Sequence, residues 1–72
     1  MSRSTVQSEV TGTVWKVEVR VGDAVQAEQT LVILESMKME IPATAPAAGT
    51  VLQVLVQEGE AVAEGQDLVV IE

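Results

Sequence analysis

The chain has 72 residues, the length of one small domain, and such a domain buries only about 60% of the surface that its unfolded chain exposes. It contains no cysteine and no histidine, which excludes disulfides, Cys/His zinc sites, thiol nucleophiles and histidine bases. Its 4 basic and 11 acidic residues give a net charge of −7, which excludes a basic face for nucleic acid and attraction to an anionic membrane.

Valine supplies 14 of the 72 residues, and this enrichment favours strands over helices. The strands predicted for the first half are, in chain order, 5–9, 12 to about 21, a short piece around Val25, and 31–34. In the second of these, Val17, Val19 and Val21 face one way, and Val14 joins them inside only if a β-bulge lies at 15–16. The run 31–34 is predicted to be a buried strand and is too short to span a bilayer.

The second half of the chain repeats the first at an offset of 37 residues. Segments 11–35 and 48–72 align without a gap, and twelve of the 25 aligned pairs are identical. The strands predicted for the second half are therefore 41–46, 49 to about 57, a piece around Val62, and 68–71, with a matching bulge at 52–53. Pro42 and Pro46 confine their segment to a sheet edge or a bend.

Two repeats are too few for a solenoid. We therefore predict a single all-β domain over residues 1–72, built from halves at about 4–35 and 41–72 that an approximate twofold axis relates. The connection between the halves, 36–39, is then expected at a tip opposite the two chain ends.

This connection carries Lys38 between Met37 and Met39. A lysine on a loop is usually a solvated surface residue, and two methionines can fold inward as core. Exposed methionine, however, is typical of adaptable recognition surfaces, and a polar pair such as Asn-Gly is the usual hairpin turn. Lys38 is therefore the candidate functional residue.

The segment Glu-Ser-Met-Lys-Met-Glu at 35–40, placed between two Gly-x-Val-x-x-Val-x-Val-x-x-Gly-[Asp/Glu]-x-Val repeats, resembles the biotinyl domain of biotin-dependent carboxylases. The resemblance covers residues 4–72 and extends to free-standing biotin/lipoyl attachment proteins and to the terminal domain of a biotin carboxyl carrier subunit. It implies a flattened β-barrel, or barrel-sandwich hybrid, of two four-stranded antiparallel sheets. It also implies biotin in amide linkage to Lys38.

The implied function is that of a carrier, with no catalytic residue and no metal site of its own. A biotin protein ligase would biotinylate Lys38, since an ordinary lysine amine is protonated at neutral pH and does not activate itself. The biotinylated chain would then carry a carboxyl group between a biotin carboxylase and a carboxyltransferase. The residues expected to serve recognition by the ligase or partners are Glu35, Ser36, Met37, Met39 and Glu40. We expect a cytoplasmic, monomeric domain without nucleic-acid or membrane partners.

Two rival interpretations remain open. A lipoyl carrier of a 2-oxo-acid dehydrogenase complex has the same barrel, but typically Asp-Lys-Ala instead of Met-Lys-Met, and free-standing attachment proteins resemble acceptors of both biotin and lipoate. A structural barrel module without a cofactor, as in periplasmic efflux adaptors, is more remote, because those proteins carry long helical hairpins.

Three features depart from the family pattern. Ser36 stands where alanine is common. Glu28 matches Gly65 of the second repeat, so its turn is expected to have a different conformation. The ungapped repeat leaves no room for the protruding thumb of some bacterial carboxyl carriers, so contacts between a thumb and biotin are expected to be missing.

Overall fold

The computed structural model describes residues 3–72. This part of the chain forms eight β-strands and no helix, as the valine-rich pattern predicts. The strands are β1 (Ser4–Gln7), β2 (Gly12–Val17), β3 (Ala24–Val25), β4 (Thr30–Ser36), β5 (Met39–Thr44), β6 (Gly49–Val54), β7 (Ala61–Val62) and β8 (Asp67–Ile71).

The strands form two four-stranded antiparallel sheets, in the orders β1-β8-β6-β3 and β5-β4-β2-β7. The offset of 37 converts one order into the other strand by strand. It also preserves register, because the pair Ser4–Ile71 of β1 and β8 matches the pair Ile41–Leu34 of β5 and β4. The flattened barrel-sandwich with internal twofold symmetry is thus confirmed, although the two sheets do not close into one continuous ladder.

The symmetry relates the turn between β4 and β5 to the place in the other sheet where β1 begins and β8 ends. The edge strands β1 and β5 also correspond to each other, and they flank an open groove of about 660 Å³. Pro42 lies in β5, where its missing N–H faces no further strand. The edge position predicted for this segment is therefore confirmed.

The core lies between the sheets and is richest in β4 and β8. Leu31 and Val32 of β4, and Leu68 and Val69 of β8, are completely buried. Burying one such side chain contributes about 1.5–3 kcal/mol, so these two strands are the main hydrophobic support of the domain. The deep burial predicted for both apolar runs is confirmed except at Ile33 and Val70, which are half-buried because they face outward.

A β-bulge interrupts each of the two long strands. The register of β2 against β4 shifts between Val14 and Lys16, and that of β6 against β8 shifts between Val51 and Gln53. The extra residue reverses the alternation of side chains, so that Val14 and Val51 are 1% exposed. Both predicted bulges are confirmed.

The long strands end earlier than predicted, and Val21 does not face the core. Regular pairing stops at Val17, and although Val19 is buried, Val21 is 64% exposed. The reason is a turn, in which the Arg20 N–H donates to the Asp23 carboxylate at 2.8 Å. The side-chain alternation therefore ends before residue 21 and cannot be extrapolated to it.

The first strand of each half is also displaced from its prediction. It covers Ser4–Gln7 instead of 5–9, and its counterpart covers Met39–Thr44 instead of 41–46. Ser8 ends β1, because its hydroxyl donates to the Val10 carbonyl at 2.6 Å. Such local side-chain hydrogen bonds compete with strand pairing.

The turn before β4 has the same backbone conformation as the turn before β8, which corrects the expectation for Glu28. Its φ is 68°, and that of Gly65 is 85°. The surrounding hydrogen bonds also repeat, since the Gln26 N–H donates to Gln29 Oε1 and the Ala63 N–H donates to Gln66 Oε1. These bonds hold Glu28 in the left-handed region although it has a Cβ atom.

Replacing Glu28 by glycine is therefore expected to stabilise the domain. The left-handed conformation costs a residue with a Cβ about 1–2 kcal/mol, part of which the greater entropy of unfolded glycine offsets. We expect a net gain of about 0.5–1 kcal/mol in the free energy of unfolding, measured by urea denaturation. Ala27→Gly is the matched control and is expected to destabilise; equal stabilities of the two variants would contradict strain at Glu28.

Candidate functional site

The candidate site is the turn that joins β4 to β5. Ser36 and Met39 form the last pair of this hairpin, and the two residues between them have positive φ, 53° at Met37 and 66° at Lys38. Positive φ at both central residues is characteristic of the type I′ turn, whose twist matches that of the flanking strands. The hairpin geometry therefore dictates the left-handed backbone at Lys38.

This turn is occupied by residues that do not favour it. Asn-Gly is the usual sequence for a type I′ turn, whereas each residue with a larger side chain costs about 1–2 kcal/mol in the left-handed region. Met37 and Lys38 both have such side chains. Strain of this kind is concentrated at functional sites. It therefore indicates that Met37 and Lys38 have a functional role and do not stabilise the turn.

All three side chains of the Met-Lys-Met segment are exposed to solvent. Met37 is 91% exposed and Met39 is 63% exposed, and Lys38 also belongs to the exposed class. The alternative that the methionine pair belongs to the core is therefore wrong. The turn presents an amine between two flexible, polarisable thioethers, which suits contact with a partner protein.

The base of the hairpin is fixed by contacts that the sequence analysis did not identify. The Ser36 hydroxyl donates to the Thr11 carbonyl at 3.0 Å, and the Thr11 hydroxyl accepts from the Glu64 N–H at 3.2 Å. Gly12 packs so closely on β4 that a Cβ would lie 2.3 Å from the Glu35 carbonyl oxygen. The repeated pair Gly12/Gly49 is the sequence signal that could have indicated this close approach; nothing comparable indicates Thr11 or Glu64.

The surroundings of the turn are acidic. Glu35 and Glu40 are directly opposite each other in the hairpin, and both are exposed. Like charges at opposite positions destabilise a sheet, so this pair does not serve the stability of the hairpin. The structure brings all six predicted site residues together within the hairpin tip.

Two other kinds of site are absent from residues 3–72. No group of three or more acidic side chains there is placed to hold a metal ion. No helix in this part of the chain has the length and apolar character needed to cross a membrane.

Similarity to known proteins covers nearly the whole chain. A family model named for biotin and lipoyl groups, and described as biotin-requiring enzyme, matches residues 3–71. A biotin/lipoyl attachment protein of Bacillus subtilis is 51% identical over 41 residues, which are 57% of this chain and 56% of that protein. The aligned segment therefore spans about half the length of this relative.

Two solved structures have the same fold. The crystal structure of the Kluyveromyces lactis urea carboxylase superposes with a TM-score of 0.94 at 35% identity, over 100% of this chain and 6% of the other. A single-chain, multi-domain long-chain acyl-CoA carboxylase superposes with a TM-score of 0.89 at 35% identity, over 94% of this chain and 7% of the other. The resemblance deduced from the Met-Lys-Met segment and the repeats is confirmed, and the chain belongs to the biotin/lipoyl family.

Proposed function

We propose that the chain is a biotin carboxyl carrier in which Lys38 holds biotin through an amide bond. The observation that carries the proposal is the display of the Lys38 amine on a strained two-residue turn between two exposed methionines. When bound, biotin supplies a ureido nitrogen that accepts a carboxyl group and releases it to an acceptor. The chain itself acts as a non-catalytic carrier.

The residues of the turn fit a covalently attached group. Lys38 is exposed, so acylation of its amine displaces no packed side chain, and its four methylenes extend the reach of the attached group. The Ser36 hydroxyl anchors the strand beneath it to Thr11. The chain thus provides a flexible arm on a rigid base, and this combination gives a tethered group a high local concentration at partner sites.

Lys38 depends on another enzyme for its modification. Its amine is exposed to solvent, unlike the desolvated lysines that act as nucleophiles by themselves. In the proposed reaction a biotin protein ligase removes a proton from the amine. The lysine nitrogen then bonds to the acyl carbon of biotinyl-adenylate, and AMP leaves.

The proposed partners are a biotin carboxylase, which loads the carboxyl group, and a carboxyltransferase, which transfers it. Similarity to a urea carboxylase and an acyl-CoA carboxylase supports this context. We place the domain in the cytoplasm and expect it to be monomeric.

The connections 18–23 and 55–60 are equal in length, so no thumb is inserted in either half. The proposed carrier therefore works without contacts between a thumb and biotin.

Co-expression with a biotin protein ligase, or with a lipoate ligase, tests the proposal. Intact mass is expected to show one biotinyl group per chain, and peptide mapping is expected to place it on Lys38. A lipoyl increment without a biotinyl increment would contradict the proposal. Both increments would indicate dual use. The name of the Bacillus subtilis relative, which is 51% identical over 41 residues, makes dual use the second candidate. No increment on any residue would favour a structural module.

A further inference from the structure

The outer face of the Lys38-bearing sheet carries an exposed apolar row. Trp15 precedes Lys16, the partner of Ile33 in the β2–β4 ladder, and Ile33 is in turn paired with Pro42 of β5. Trp15 is 49% exposed, Pro42 is exposed and Ile33 is half-buried. We call Trp15, Ile33 and Pro42 the Trp15 face.

Carboxylates border the Trp15 face. Glu35 and Glu40 form the next outward-facing pair toward the tip. On the far flank of β2, the carboxylate of Glu58 accepts a hydrogen bond from the Val17 N–H at 3.2 Å. Lys16, the direct partner of Ile33, is also exposed on this side of β2, so the face has an apolar row with one lysine beside it and an acidic rim. A complementary surface would have an apolar pocket with basic side chains around it.

The internal repeat shows that the fold itself does not require this composition. The symmetry-related positions of the apolar row are Leu52, Val70 and Thr5, and those of the acidic rim are Glu72, Arg3 and Val21. The other sheet thus has the same backbone without the tryptophan. It has one carboxylate, one guanidinium and Gln53 where the Trp15 face has three carboxylates and Lys16. The tryptophan and the acidic rim are therefore both particular to the half of the fold that presents Lys38.

The distance from the tip indicates what covers the face. Ile33 precedes Ser36 by three residues in β4, and a strand rises about 3.3 Å per residue, so the face begins about 10 Å from the turn. An enzyme that receives the Lys38 side chain in its active site has to surround the tip. A body of protein size around the tip reaches the Trp15 face as well.

We propose that the Trp15 face is a second contact surface for the ligase that modifies Lys38, and that the ligase meets it with an apolar pocket bordered by basic side chains. This inference rests on the proposed function. Buried aromatic side chains at the centre of an interface carry a large share of its binding energy. Trp15 is accordingly a recognition residue that acts at a distance from the amine.

Steady-state biotinylation of Trp15→Ala and Leu52→Ala variants by a biotin protein ligase tests this assignment. Leu52 is the symmetry-related residue, so its variant is the matched control. We expect Trp15→Ala to raise the KM of the ligase for the carrier by about tenfold with kcat changed less than twofold, and Leu52→Ala to leave both unchanged. Trp15→Leu introduces leucine, the residue that occupies the matching bulge of the other half. It therefore provides a folded variant if the alanine variant unfolds. We expect this variant to raise the KM as well.

Binding is measured independently of turnover by fluorine NMR. Trp15 is the only tryptophan, so carrier labelled with 5-fluorotryptophan gives one resonance, which is expected to shift or broaden when unlabelled ligase is added. A resonance that does not change when ligase is added, together with equal KM values for the Trp15 and Leu52 variants, would overturn this inference and leave the proposed function intact. A resonance that moves only with the concentration of the carrier would overturn it in favour of a second copy of this chain. Wild-type protein that accepts no biotin would overturn the proposed function and the inference together.

Discussion

A Lys38→Arg variant is expected to fold like the wild type and to carry no biotin. Arginine keeps the positive charge, and at an exposed turn position a change of this kind alters stability by no more than about 0.5 kcal/mol. The guanidinium stays protonated at any accessible pH and is not interchangeable with an amine, so it does not form the amide. Streptavidin blotting and intact mass measure the result, and urea denaturation shows that the fold is retained.

Lys16→Arg is the matched control for this substitution. Lys16 is the only other lysine and is also exposed, but it lies within β2 and not on the turn. We expect this variant to be biotinylated like the wild type. A biotin signal that survives in Lys38→Arg and disappears in Lys16→Arg would transfer the attachment site to β2. A signal that survives in both single variants would contradict exclusive attachment at Lys38.

The repeat made most of the fold predictable. An offset of 37 that keeps twelve of 25 residues identical implies two halves with one backbone, and the strand pairs of the two sheets obey it. The bulges were predictable for the same reason. The parity of Val14 is wrong for its strand, and the same violation recurs at Val51, which points to a shared backbone irregularity and not to an exposed valine.

The predictions for Val21 and Glu28 failed because a local sequence pattern was extended to positions where neighbouring contacts determine the backbone. Val21 continues the alternation of β2, but the turn at Arg20 and Asp23 ends the strand before it. Glu28 lacks the flexibility of Gly65, yet the hydrogen bond from the Gln26 N–H to Gln29 Oε1 keeps its turn at the same φ. Local residue preference cannot show when surrounding contacts outweigh it.

The composition of the candidate site was predictable, whereas its support was not. Met-Lys-Met at the junction of the repeats identifies the turn from the sequence alone. The hydrogen bond from Ser36 to Thr11 joins residues 25 positions apart in the chain, and no periodicity records such a contact. The positive φ values of Met37 and Lys38 follow from the two-residue loop of the hairpin. The sequence did not predict this loop length, because the strand after the loop begins at Met39 and not at residue 41.

A Gly12→Ala variant is expected to unfold more readily than any other single alanine variant at the tip. A Cβ at Gly12 would lie 2.3 Å from the Glu35 carbonyl oxygen and 3.3 Å from the Ser36 Cβ. Because the clash is with backbone, β2 and β4 have to separate locally, and overpacking of this kind costs about 1–3 kcal/mol or more. This is a large fraction of the stability of a small domain, about 5–15 kcal/mol, and urea denaturation measures it.

Gly49→Ala is the control that separates a loss of domain stability from a disturbance of the Lys38 turn. It creates the symmetry-related clash in the other sheet, 2.6 Å from the Glu72 carbonyl oxygen, so it is expected to destabilise the domain to a similar extent. Only Gly12→Ala displaces Glu35 and Ser36, which lead into the Lys38 turn. Under conditions in which both variants are folded, we therefore expect slower biotinylation of Gly12→Ala alone. Equal rates for the two variants would show that the turn keeps its geometry when β2 moves, and would contradict a supporting role of Gly12 at the site.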